Sequence, residues 1–188
     1  MAETESRAGG TGVAHVAQAA APRLRCAVER IAVEEVPTRF FHTWKLWRAD
    51  DGNRPPRAVF VATDPERAVP IDFDSGLVPL VSSEPVRLLK PEDAVEYTIA
   101  FLSMTKPLAF VLRSADDVPF LDKALLAKWA DIVRPPRASG DENQRVVEAW
   151  LFEAGDILHA RFVIDSRGAI KPQLETVARK VGLEITTE

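Results

Sequence analysis

The stretch Arg145–Asp165, RVVEAWLFEAGDILHARFVID, admits few foldings. Two apolar-rich runs flank Ala154-Gly155, and the side-chain period of a strand allows one register that keeps the faces apart. With the turn centred on Ala154 and Gly155, Leu151 faces Leu158, Ala149 faces Ala160 and Val147 faces Phe162. The opposite face then holds Phe152 against Ile157, Trp150 against His159, Glu148 against Arg161 and Val146 against Val163. A slip of one residue sets Glu153 against Leu158 and Glu148 against Phe162. The expected register also gains a Glu148–Arg161 pair worth about 0.2–1 kcal/mol. A two-residue turn would force Ala154 to positive φ, so a four-residue loop over Glu153–Asp156 is expected, with the same pairing.

The second face of this hairpin is only half polar. Trp150, Phe152, Ile157, His159 and Val163 form a candidate interaction surface, to be covered by a second layer, a sister subunit or a protein partner. The composition of the chain narrows the partners. With 188 residues, a net charge of −4 and a pI near 5.5, it shows no basic stripe for a phosphate backbone. No apolar run approaches the ~20 residues of a membrane span. Neither nucleic acid nor membrane is therefore expected as a partner. A single cysteine, Cys26, excludes an internal disulfide and fits a reducing, cytoplasmic setting.

Residues 1–22, rich in alanine, glycine and small polar groups, read as a disordered tail, and 23–188 as one domain. Leu24–Val36 reads as a helix feeding a strand. Phe40–Arg48, Ala58–Thr63 and Ala68–Phe73 read as strands, with Pro70 placing the last at an edge or bulge. Leu77–Val81, carrying Pro79, reads as an edge strand or extended coil. Pro91–Thr105 is the clearest helix: Pro91, Glu92 and Asp93 suit a first turn, and Ala94, Val95, Thr98, Phe101, Leu102 and Thr105 share a face, with Ile99 at its margin. Leu108–Arg113 reads as a buried strand. Asp116-Asp117 is expected to cap a second helix over Pro119–Val133, followed by an exposed Ala138–Gln144 loop. A last helix is expected over Leu174–Val181, opened by Pro172, with Leu183–Ile185 as a short strand. No internal repeat is visible.

Glu96-Tyr97-Thr98-Ile99-Ala100-Phe101-Leu102, Pro119-Phe120 and the Arg145–Gly168 hairpin together carry a resemblance. This 91–168 stretch, less than half of the chain, resembles a group of uncharacterised proteobacterial proteins. It departs from them at Met104-Thr105-Lys106-Pro107, where they carry a glycine-containing turn. The helix-then-meander layout is similar to cystatin-like and NTF2-like cones. The expected fold is thus α+β: a curved antiparallel sheet of about five or six strands wrapped on the Pro91 helix, with two further helices.

The chemistry-bearing residues are scattered. Cys26 would need a histidine held beside it to act as a nucleophile, and His15, His42 and His159 form no signature with it. No metal-ligand spacing is present. Asp72-Phe73-Asp74-Ser75-Gly76 opens like a calcium loop but lacks the later ligands, and reads as a strand-end turn. Gly9-Gly10-Thr11-Gly12 has no strand before it, so no phosphate-binding loop or other cofactor site is expected. Phe40, Phe41, Trp44 and Trp47 lack the basic surround of a base-stacking platform and read as core packing with an edge contact. Tyr97 and His159 would supply an acid and a base inside an NTF2-like cone. The expected function is a non-catalytic protein-binding or scaffold module of a soluble bacterial protein, as a homodimer or with another protein. The alternative is an NTF2-like small-molecule binder or enzyme with a pocket inside the sheet.

Overall fold

The computed structural model describes residues 7–54, 57–118, 128–179 and 181. Over these residues the fold is α+β, with one antiparallel sheet of four strands and one of five. Two compact units divide between Val86 and Arg87.

The first unit opens with α1 (Arg7–Leu24), so the segment read as a tail is a helix from residue 7. Val16, Ala17, Ala20 and Leu24 recur at helical spacing and are buried; Val16, Ala20 and Leu24 pack with Trp47, Ala49 and Val61. The small side chains of Ala17 and Ala20 let the helix backbone approach the sheet, while Val16 and Leu24 supply the larger contacts. A short 3-10 turn (Val28–Arg30) leads into β1 (Ala32–Val36), β2 (Lys45–Asp50), β3 (Ala58–Thr63) and β4 (Ala68–Ile71), a simple meander in the order β1-β2-β3-β4. Pro70 does lie on an edge strand. The strand expected from Phe40 begins only at Lys45. Leu77–Val81 is not a strand: Val78–Val81 form a one-turn helix, α2, after Leu77 at φ 64. Pro79, with no N–H and a fixed φ, suits a first helical turn better than an extended edge.

The second unit opens with α3 (Pro91–Thr105), as expected. The Lys90 N–H donates to Asp93 Oδ2 at 3.1 Å, and Ala94, Tyr97, Thr98, Phe101 and Leu102 are buried. β5 (Phe110–Leu112) is an edge piece, not a buried strand: Leu108 and Phe110 are 77% and 58% exposed. Asp117 reaches back, its Oδ2 accepting the N–H groups of Arg113 and Ser114. The Ala138–Gln144 loop is instead β6 (Arg137–Gly140), paired with Arg145–Glu148 around a turn fixed by Asp141, whose Oδ1 accepts the Asn143 and Gln144 amides.

β7 (Gln144–Glu153) and β8 (Asp156–Asp165) pair in the register read from the sequence, Leu151 opposite Leu158 and Trp150 opposite His159. Their turn is tighter than expected: Glu153 pairs with Asp156, and Ala154 and Gly155 take φ 52 and 88. Positive φ at both central residues matches the right-handed strand twist, and that gain outweighs the strain at Ala154. Val147, Ala149, Leu151, Ala160 and Phe162 are buried, with Phe101 of α3 edge-on to Phe162 at 6.4 Å. The Lys106 Nζ at the end of α3 binds Glu153 Oε1 at 2.8 Å.

The expected Leu174–Val181 helix is not formed. Ile170–Ala178 is a strand, β9, antiparallel to β8. Asp165 sets it up: its Oδ1 accepts the Arg167 and Ala169 N–H groups, and its own N–H donates to the Ala169 carbonyl. That turn returns the chain along β8 and overrides an i, i+3 apolar spacing that a strand also tolerates. Residues 1–6, the Pro55-Pro56 loop, 119–127 of the expected second helix (with Pro119-Phe120) and the Leu183–Ile185 strand lie outside the described residues.

The sheet of this unit runs β5-β7-β8-β9, with β6 on the same side of β7 as β5. β5 meets Trp150–Phe152 and β6 meets Arg145–Glu148, so the two are successive pieces of one strand position. Each unit is therefore a helix followed by a four-position antiparallel meander.

Candidate functional site

Alternation along β8 decides where the expected site residues go. Leu158, Ala160 and Phe162 are buried on the α3 side, so His159, Arg161 and Val163 lie on the other face. The His159 and Trp150 rings stack with centroids 4.9 Å apart. They floor a hollow of about 230 Å3, rimmed by Arg134, Arg137 and Glu148. Ile157 is fully buried with Leu112, Ala115, Val118, Trp129 and Val133, and Trp150 and Phe152 pack against that cluster. Most of the apolar part of this face is thus a second core. Ile157 alone among the apolar residues of the face is fully covered; Trp150, Phe152, Val146 and Val163 stay half-exposed, as does His159.

The expected acid and base are kept apart. Tyr97 is buried on the α3 side, and its hydroxyl donates to the Gly168 carbonyl at 2.9 Å. Burial, with the Asp165 charge adding to it, pushes the phenol well above its ordinary pKa. His159 lies on the other face of the sheet, so no acid–base pair forms inside a cone.

In the first unit a cleft of about 450 Å3 lies between α1, at Gly12 and His15, and the sheet. His15, Glu35, Lys45, Trp47, Thr63 and Arg67 line it. Most of its polar groups are already engaged. Trp47 Nε1 donates to Thr63 Oγ1 at 2.8 Å, Arg67 Nε binds Asp64 Oδ2 at 2.9 Å, and Lys45 stands 3.9 Å from Glu35. Sequence reasoning missed this cleft because its helical wall was read as a tail.

Two carboxylates of this unit act as internal clamps. Asp51 is buried; it accepts from Arg57 Nε at 2.8 Å, from Asn53 Nδ2 at 2.7 Å and from both residues' backbone N–H groups. The Arg57 side chain dominates its environment. With the other donors it overcomes the burial penalty and holds the carboxyl well below the usual range. The same guanidinium donates to the Leu24 carbonyl at the end of α1, at 2.8 Å. Glu84 accepts the N–H groups of His42, Thr43 and Trp44. Burial pushes its pKa up, but those three donors together with the His42 side chain outweigh it, and the net shift is down.

The remaining candidates are structural. Cys26 is a half-buried free thiol packed with Ile31 and Val33 beside the α1 core. Phe41, Trp44 and Trp47 are buried, whereas Phe40 is half-exposed. Asp72 accepts the Ser75 N–H and ends β4 in a turn. Among the described residues no cluster of His, Cys, Asp or Glu is arranged to hold a metal ion, and no helix is long and apolar enough to cross a membrane. No family model, no curated protein and no solved structure matches this chain.

Proposed function

We propose that this chain is a non-catalytic protein-binding or scaffold module of a soluble bacterial protein, working in the cytoplasm through the open β9 end of its second sheet. The observation that carries this reading is the exposure of β9. Six of its nine residues are exposed, and they lie on both faces, where a covered edge would alternate. Leu174 and Val177 are 37% and 40% exposed, and among the described residues no strand pairs with the outer edge of β9. A long strand with unpaired N–H and C=O groups is a template for another strand, the β-augmentation mode of protein recognition. The scattering of Cys26, Tyr97 and the histidines favours binding over catalysis. Affinity capture from the native host tests the reading, comparing the wild type with Leu174→Asp. A partner held by the wild type and released by the variant, with far-UV spectra unchanged, supports it. Equal capture by both forms overturns it.

The cleft beside α1 favours a second reading, a small-molecule binder, because its volume falls in the range of ligand sites. Under that reading, a screened ligand protects the wild type thermally and fails to protect Lys45→Ala.

A further inference from the structure

The outer edge of β9, with which no strand among the described residues pairs, is self-complementary. The Asp165 N–H donates to the Ala169 carbonyl, so residues 165 and 169 form a hydrogen-bonded pair. In an antiparallel ladder such pairs alternate. Lys171, Gln173 and Glu175, opposite Val163, Arg161 and His159, therefore turn their backbone groups towards β8. Ile170, Pro172, Leu174 and Thr176 turn theirs outward.

We propose that this edge pairs with the same edge of a second copy of the chain, antiparallel, about a twofold axis at Gln173. This rests on the protein-binding reading above and names its partner. The charges select the register. Centred on Gln173, Lys171 lies opposite the second copy's Glu175, and Glu175 opposite the second copy's Lys171. These are the close, non-hydrogen-bonded positions, where side chains interact most strongly. On the other face Leu174 meets Pro172 of the second copy, placing an exposed leucine against an apolar ring. Moving the centre to Leu174 sets Lys171 against Val177 and Gln173 against Glu175, and neither charge finds its opposite.

Pro172 limits the strength of this pairing. It has no N–H, and its backbone faces the new interface, so each of the two Pro172–Leu174 pairs forms one hydrogen bond instead of two. A proline on an edge strand is a common brake on sheet extension. The expected dimer is therefore weak and concentration-dependent, with a Kd between about 1 µM and about 1 mM.

Sedimentation of the full chain over that concentration range tests the inference. The wild type should pass from monomer to dimer. Lys171→Glu and Glu175→Lys each turn two opposite-charge pairs into like-charge pairs, and should each weaken the dimer about tenfold. Combining them restores both pairs in reversed order, and should bring the Kd back to near the wild-type value. Pro172→Thr, which regains a donor in each copy, should tighten it. A wild type that stays monomeric overturns the inference. So does a double charge reversal that is weaker than either single one, or a dimer that Trp150→Glu abolishes while the charge reversals leave it intact. A monomeric wild type that still loses a host partner on Leu174→Asp separates the two ideas: self-pairing fails and the binding reading stands.

Discussion

Ala154 sits at φ 52 in the two-residue turn of the β7–β8 hairpin, beside Gly155 at φ 88. A Cβ in that region costs about 1 kcal/mol, which glycine escapes and asparagine largely recovers. Ala154→Asn should therefore stabilise the protein by up to about 1 kcal/mol, read as a raised urea midpoint at unchanged slope. The residue pairing of this hairpin was legible in the sequence because one register alone separates the faces. The turn was not, because an alanine conceals the strain that the strand twist imposes. Asp51 was illegible for a different reason: it stands in an ordinary Asp-Asp-Gly-Asn turn, and only the fold returns Arg57 to it. Its pKa is depressed below the ordinary 3.8, mainly by the Arg57 side chain. Its contribution to stability is thus complete above about pH 4 and is lost as pH falls through the lower folded-state value. In Asp51→Asn, stability at neutral pH should drop, and the fall in melting temperature between about pH 4 and about pH 2 should be shallower than in the wild type. An unchanged acid slope would show that Asp51 does not drive it.

At the scale of elements, α3 and the β7–β8 hairpin were readable because each carries large apolar residues at one period. Phe101 against Phe162 is the contact between them. Phe162→Ala should cost about 3–5 kcal/mol in urea titration, since Phe162 is fully buried and the sheet behind it cannot collapse into the space. A loss below about 1 kcal/mol would show that this face is not core. α1 and β9 were misread for opposite reasons. In α1 half of the buried stripe is alanine, and three glycines near its start lower local helix propensity, so tertiary contact supplies what propensity does not. In β9, Leu174, Val177 and Ala178 fit a helical face on paper, yet the Asp165 turn delivers the segment to the free edge of β8. Local spacing could not decide between these outcomes. The acid–base pairing of Tyr97 and His159 failed on the same point, since a sheet face is a property of the pairing and not of either residue.

At the scale of the whole molecule, the helix-plus-meander layout read for 91–168 occurs twice, once from α1 and once from α3. The sequence conceals this because the first strand position of the second unit is split into β5 and β6, and because the first unit's helix has so few large apolar residues. The duplication changes what residues 7–22 are for. In the first unit α1 supplies Val16, Ala17 and Ala20 to the core with Trp47, Ala49 and Val61, and Arg57 ties its last carbonyl to the Asp51 clamp. A chain starting at Arg23 keeps Leu24 and the clamp but loses the rest of the helix. Without it, one face of a four-strand sheet, including Trp47 and Val61, is left in water. The expected penalty is comparable to the stability of a small unit, about 5 kcal/mol or more. Amide exchange followed by mass spectrometry should show β1–β4 unprotected in the truncated chain. The second unit has its own helix and its own buried hairpin face, so β7 and β8 should keep their protection. Full protection of β2 and β3 without α1 would mean that the helix is an accessory to that sheet. Loss of protection in β7 and β8 as well would mean that the two cores fold as one.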